Sequence, residues 1–127
     1  MKCRPIEKSD YATACKWWDG HNFHRIPEDF LPSTGAIVEG YCLGWTYTTD
    51  SGVAFTGFVV GNPDKKGIEA FSALRMLSKY LIGVAKEHGC AKIFSTVKNK
   101  ALARAMISAG HVAVEEGVTE MIYYKGD

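Results

Sequence analysis

Apolar positions change their period several times along this chain, and the changes divide it into elements. Cys3 to Ile6 predicts a short strand. Ser9 offers an N-cap, and Tyr11 to Trp18 carries Tyr11, Ala14, Cys15 and Trp18 at the spacing of one helix face. Asp19-Gly20-His21-Asn22 ends that helix. Phe23 to Ser33 is irregular, and Pro27 and Pro32 leave room for one helical turn. Ala36 to Glu39 predicts a strand. Tyr41, Leu43, Trp45 and Tyr47 then alternate with Cys42, Gly44, Thr46 and Thr48, the period of a half-buried strand. After the turn Thr49-Asp50-Ser51-Gly52, Val53 to Val60 reads VAFTGFVV. It is apolar on both faces, which predicts a central strand covered on both sides. Gly57 within it marks a bulge or a close backbone approach.

Beyond Gly61-Asn62-Pro63, Ile68, Phe71, Leu74, Leu77, Leu81 and Val84 form one stripe and predict a long helix from Ile68 to His88. Gly89 stands at its C′ position, and Lys86 and His88 suit its negative end. Ile93 to Val97 predicts a short buried strand. Ala101 to Ala109 predicts a helix with Leu102, Ala105, Met106 and Ala109 inward, closed by Gly110. Val112 to Val114 and Thr119 to Tyr124 predict two last strands. The order is β-α-turn-β-β-β-α-β-α-β-β. A strand, a crossover helix and a second buried strand make a βαβ unit, so Val53–Val60 and Lys92–Val97 are expected as parallel neighbours. The expected fold class is α/β: one domain over residues 1–127, a mixed sheet with helices on both faces.

Composition narrows the function. The chain has 127 residues, 46% hydrophobic and 23% charged, the balance of an ordinary globular domain. Its formal net charge of +1 argues against a nucleic-acid binder. The basic residues Lys92, Lys98, Lys100 and Arg104 read as a solvated face rather than a phosphate-tracking stripe. No apolar run reaches the roughly 18 residues of a membrane helix, and the start MKCRPIEKSDY has no apolar stretch behind its charges. No membrane association and a cytoplasmic location are expected. Cys3, Cys15, Cys42 and Cys90 form no CxxC pair and read as reduced, mostly buried thiols. The spacing C-x5-H-x2-H at Cys15, His21 and His24 matches no structural zinc pattern, and no metal site is expected.

This order of elements, together with the segment AKEHGCAKIFSTVKNKALARAMISAGH, resembles the GNAT superfamily of acyl-CoA-dependent N-acetyltransferases. Gly89, the strand Ile93–Val97, Asn99 and Gly110 stand where that family has a helix-closing Gly, a short strand, a helix-opening Asn and a closing Gly. Asn62-Pro63 after the central strand is similar to the small, divergent GNAT-like proteins of bacteriophages. The resemblance implies a central parallel pair that splays apart at its C-terminal ends to accept acetyl-CoA as co-substrate. It implies that the backbone of Phe58, Val59 and Val60 pairs with the pantetheine arm, with the family's bulge near Gly57. It implies a phosphate-binding loop over Lys65, Lys66, Gly67 and on to Ser72, and a ligand contact at Asn99. An amine on a small molecule or a protein would be the acceptor, and dimers are common in the family.

The chain also departs from the pattern. The family's phosphate loop Q/R-x-x-G-x-G/A meets either Asp64-Lys65-Lys66-Gly67-Ile68-Glu69, with one glycine and an acid at each end, or, counted back from Gly89, Glu69-Ala70-Phe71-Ser72-Ala73-Leu74, with small residues but no basic start. Met106 stands where many members carry a Tyr that protonates the leaving thiolate, and Met is no proton donor. His111 stands for the Phe that follows the closing Gly. The central strand carries no acid, so a base has to come from elsewhere. His24, in the loop that roofs the acceptor site of the family, has a suitable imidazole and is otherwise a surface histidine. Glu39 is the second candidate, acting through water, and is otherwise a turn glutamate. Trp18 and Phe30 read as core, and Trp17 or Phe23 as core or acceptor-pocket wall. Two functions remain open. One is direct acetyl transfer to an amine. The other is a degenerate GNAT-fold module that binds a partner protein, a host factor if the chain is phage-encoded.

Overall fold

The computed structural model describes residues 1–123. The elements are β1 (Cys3–Pro5), α1 (Asp10–Gly20), one 3-10 turn at Glu28–Phe30, β2 (Gly35–Val38), β3 (Cys42–Thr48), β4 (Val53–Gly61), α2 (Gly67–Glu87), β5 (Lys92–Ser95) and α3 (Lys100–Ser108). Ser9 occupies the N-cap of α1 but its side chain makes no capping bond. Asp10 fastens that end instead. Its carboxylate accepts the Glu7 N–H at 2.7 Å and takes the Arg4 guanidinium at 2.8 and 3.0 Å. This charge-assisted pairing ties α1 to β1 and holds the Asp10 carboxyl below its usual range.

The sheet runs β1-β2-β3-β4-β5. The first three pairings are antiparallel, and β4 and β5 are parallel neighbours in the register Val53–Lys92 to Thr56–Ser95. The crossover between them is α2, as the apolar run VAFTGFVV and the long helix predict. Pleat parity sends alternate residues to opposite faces. Trp17 and Trp18 of α1 are buried against Ile37, Leu43, Trp45 and Val60 on one face. The rings of Trp18 and Trp45 stack at 6.0 Å. Ala73, Leu77 and Leu81 of α2 pack on Ala36, Val38 and Cys42 on the other. Helices therefore cover both faces of a mixed sheet. All four cysteines are free, and burial pushes the Cys42 thiol up to about 12 and that of Cys3 to about 11.

Five expectations need correction, the first being a buried strand reaching Val97: β5 ends at Ser95 and Phe94 is half-exposed. Residues 112–123 form no strand, and Val112, Val114, Val118, Met121, Ile122 and Tyr123 are exposed. Alternation gives a segment strand character but supplies no partner, and β5 is only four residues long. Tyr124 lies outside the described residues. The stripe of α2 is divided: Ala73, Leu77, Leu81 and Ala85 meet the sheet, where small side chains allow close approach, while Ile68 is exposed. Phe30 is exposed rather than core. Strand β4 is interior to the sheet but not covered on both sides, since Phe55 and Phe58 are about half-exposed.

Candidate functional site

The site begins with a change of register. Leu43 faces Val60 and Trp45 faces Gly57, so Gly44 lies opposite an extra β4 residue. The bulge sits at Phe58-Val59, one step beyond the glycine that marked it in the sequence. Phe58 has φ +55°, a left-handed conformation that costs a bulky residue free energy and concentrates at functional sites. Gly44 makes room for it, because a Cβ there would lie 2.7 Å from Val59 Cγ2 and 3.3 Å from Val59 Cα.

The second event is the end of the parallel ladder. Pairing of β4 with β5 stops at Thr56–Ser95, while β4 continues to Gly61. The edge of Gly57–Gly61 that faces β5 therefore has no strand partner among the described residues. A cleft of about 1360 Å³ opens there. Phe71 and Leu74 of α2 and Leu102 and Met106 of α3 wall its inner side. Ser95 lines it, and its Oγ is buried with no hydrogen-bond partner among the described residues. A buried hydroxyl without a protein partner is satisfied by water or by a polar group of a ligand entering the cleft.

The loop between β4 and α2 is built by Asn62-Pro63. The Asn62 carbonyl accepts the Lys65 N–H at 3.0 Å, closing a β-turn with Pro63 at its second position. The Asn62 side chain donates to Gly40 O at 2.9 Å and accepts the Asp64 N–H at 2.9 Å. This fixes Lys65, Lys66 and Gly67 at the start of α2, where Gly67 has φ +73° and no side chain caps the first turn. Lys65 lies 5.1 Å from the centre of the Tyr41 ring, and the Tyr41 hydroxyl donates to Glu69 at 3.0 Å.

Charge in the cleft differs from charge in the chain. Overall, 15 Lys and Arg balance 14 Asp and Glu. The cleft takes Lys65, Lys66, Lys98 and Arg104 against Glu120 as the one carboxylate among its described residues. Two of the basic residues read as solvated in the sequence thus belong to the cleft wall.

Of the sequence candidates, Phe58, Val59, Val60, Lys65, Lys66, Gly67 and Asn99 all line this cleft. The Asn99 Oδ1 accepts the Leu102 N–H at 3.0 Å as the N-cap of α3, which leaves both donors of its amide nitrogen for a ligand. Ser72 is exposed on α2 and is not part of the cleft. Neither His24 nor Glu39 lines it. Glu39 accepts from Arg4 Nε at 2.5 Å near the outer strand β1. His24 is exposed three residues past His21, and it is His21 that faces the cleft. The His21 Nε2 makes a hydrogen bond to Gly61 O at 2.8 Å, and the ring stacks on Phe23 at 5.0 Å. Choosing between two histidines three residues apart required the turn geometry at Asn22, whose φ is +59°. Met106 does stand in the cleft wall, so no proton donor sits at that position. Burial lowers the pKa of the half-buried His111.

The residues present fit an acyl-CoA. The free β4 edge suits the pantetheine amides, Ser95 Oγ needs a partner, and the cations suit a polyphosphate. Among the described residues no helix is long and apolar enough to cross a membrane, and no cluster of three or more His, Cys, Asp or Glu could hold a metal ion.

No protein-family model and no curated protein sequence matches the chain. Solved structures do match it in shape. A point mutant of TTHA1254 from Thermus thermophilus superposes with a TM-score of 0.76 at 14% identity, covering 99% of this chain and 100% of that one. An acetyltransferase of Trypanosoma brucei gives 0.63 at 16%, covering 95% and 99%. AAC(6')-Iy, in complex with the bisubstrate analog CoA-S-monomethyl-acetylneamine, gives 0.57 at 15%, covering 99% and 97%. At these identities the likeness is one of fold. The chain has the GNAT-type fold expected from its sequence, with its parallel pair at β4 and β5.

Proposed function

We propose that this protein is an acyl-CoA-dependent N-acetyltransferase that moves an acetyl group from acetyl-CoA directly to an amine. The observation that carries the reading is the early end of the β4–β5 ladder. It leaves a free strand edge and an unpartnered buried hydroxyl in a cation-rich cleft. Acetyl-CoA would supply the activated thioester. The backbone of Phe58 to Val60 would pair with the pantetheine arm, and an N–H of the bulge would polarise the thioester carbonyl. Lys65, Lys66 and the uncapped N–H groups of α2 would hold the pyrophosphate. Lys98, Arg104 and the Asn99 amide nitrogen extend the contact toward α3.

His21 is the cleft histidine suited to take the amine's proton. If Nε2–H donates to Gly61 O, that bond fixes the tautomer and leaves Nδ1 as the acceptor. His24, on the same loop, is the alternative, and Glu39 would first have to leave Arg4. With Met106 in the wall, the thiolate would take its proton from solvent. The test is calorimetric titration with acetyl-CoA. Wild type should bind, and the double variant Lys65→Glu/Lys66→Glu should bind at least tenfold more weakly. Equal affinity in both proteins would remove the phosphate site from the account.

The second reading, a partner-binding module without transfer, draws on Met106 and on the exposed apolar side chains of residues 112–123. It predicts acetyl-CoA binding, or none, with no turnover on any amine.

A further inference from the structure

The outer side of the same cleft has a different chemistry. Phe55, Phe58 and Phe94 line it and are 48%, 43% and 49% exposed. Tyr47 pairs with Phe55 and Phe55 with Phe94 in the strand register, so the three share a face. It is the α1 face, because Tyr47 follows Trp45 by two residues and packs on the α1 cluster. The rings form a shelf: Phe55 and Phe94 stand 6.0 Å apart and Tyr47 and Phe58 6.2 Å apart. The Tyr47 hydroxyl already donates to Phe30 O at 2.9 Å, so it offers little polar recognition. Soluble chains seldom leave a contiguous aromatic patch without use. The patch adjoins the bulge at Phe58, on the side opposite the α2–α3 walls.

We infer that this shelf is the acceptor subsite, and that it takes a primary amine carried on an aromatic body with no second cationic group. The inference rests on the acetyl-transfer reading and names the substrate class for it. Three phenylalanine rings complement a flat apolar body by stacking and edge contacts. The charges exclude the other large class of amines. A polyamine or aminosugar needs carboxylates for its additional ammonium groups, and Glu120 is the one carboxylate among the described cleft residues. In the transfer, the amine nitrogen forms a C–N bond to the acetyl carbonyl carbon, and the C–S bond breaks with its electron pair left on sulfur. The nitrogen's proton goes to His21 Nδ1 or water, and water protonates the thiolate.

The competing occupant is the chain's own segment 112–123, whose Val112, Val114 and Ile122 are exposed. NMR of the full chain distinguishes them. Phenethylamine, butylamine and spermidine are titrated separately, each with and without acetyl-CoA, while the ring resonances of Phe55, Phe58 and Phe94 are followed. Phenethylamine should shift these rings saturably and bind roughly tenfold more tightly than butylamine, a gain typical of ring–ring contact. Spermidine should leave them unmoved. Phe55→Leu and Phe94→Leu, at half-exposed positions and with folding checked by the dispersion of the same spectra, should weaken phenethylamine about fivefold. Spermidine binding as tightly as phenethylamine overturns the inference. So do rings in nuclear Overhauser contact with Val112, Val114 or Ile122 that no amine displaces. Acetyl-CoA binding without ring shifts refutes the aromatic subsite alone. Ring shifts with no response to acetyl-CoA refute the donor instead.

Discussion

Replacing Gly44 by Ala should damage stability and ligand binding together. The added methyl would start 2.7 Å from Val59 Cγ2, 3.3 Å from Val59 Cα and 3.4 Å from Val59 Cβ. A rotamer change could relieve the first contact, but the second is with backbone. The β4 bulge at Phe58-Val59 must therefore shift. Overpacking of this kind costs about 1–3 kcal/mol. For a chain of this length that is a fall in Tm of roughly 3–10 °C. Because the displaced residues are those proposed to meet the pantetheine arm, affinity for acetyl-CoA should fall at least fivefold as well. The control is Gly83→Ala. Gly83 lies inside α2 with nothing within 4 Å of its would-be Cβ. Removing a glycine from a helix interior there should stabilise by about 0.5–1 kcal/mol. Calorimetric melting with and without acetyl-CoA reads both quantities. A Gly44→Ala protein that melts and binds like wild type would refute the claim that the bulge is packed against β3 and shapes the cleft.

Other substitutions probe separate parts of the account. Ser95→Ala should leave stability unchanged or raise it by about 0.5 kcal/mol, since the buried hydroxyl has no partner, yet should weaken acetyl-CoA several-fold in the same titration. A clear loss of stability with unchanged affinity would mean the hydroxyl serves the fold. Asp10→Asn should cost about 2 kcal/mol in urea unfolding at pH 7, less than a fully buried pair because Arg4 keeps solvent contact and Glu39. The Asp10 carboxyl is held below its ordinary value in the native state. Its contribution is thus present above about pH 4, the ordinary carboxyl value, and lost as pH falls through the lowered native pKa, so the gap between wild type and variant should narrow steadily on acidification below about pH 4. Buried and with its pKa raised to about 12, Cys42 should not react with a disulfide reagent at pH 8 until denaturant exposes it. Fast labelling of all four thiols in the native protein would contradict the packing.

The fold was readable where a residue pattern has one physical solution. The apolar run VAFTGFVV, followed by a long amphipathic helix and a second short strand, leaves the right-handed parallel crossover as the economical arrangement. Gly57 marked the bulge to within one residue. Patterns with several solutions misled. The apolarity of β4 on both faces serves a cleft and an aromatic shelf rather than two buried layers. Alternation in residues 112–123 finds no ladder. The cleft was half legible. Phe58–Val60, Lys65–Gly67 and Asn99 were implied by the family resemblance, carried onto a strand end and two helix starts, and they do line the cleft. His21 does not, because the direction of a loop histidine depends on one left-handed residue, Asn22. Ser95 carried no sequence signal, since its importance is the absence of a partner in three dimensions.

The central claim is that the divergence of β4 from β5 is an acyl-CoA site. Amide NMR during titration with acetyl-CoA tests it residue by residue. The account predicts saturable shifts at Phe58, Val59 and Val60, at Ser95, and at Gly67 and Ile68 at the start of α2. No shift there at about 5 mM (a ~millimolar Kd marks the weak end of ligand affinities), or shifts confined to the separate hollow formed by Tyr11, Cys15 and Arg25, would contradict it.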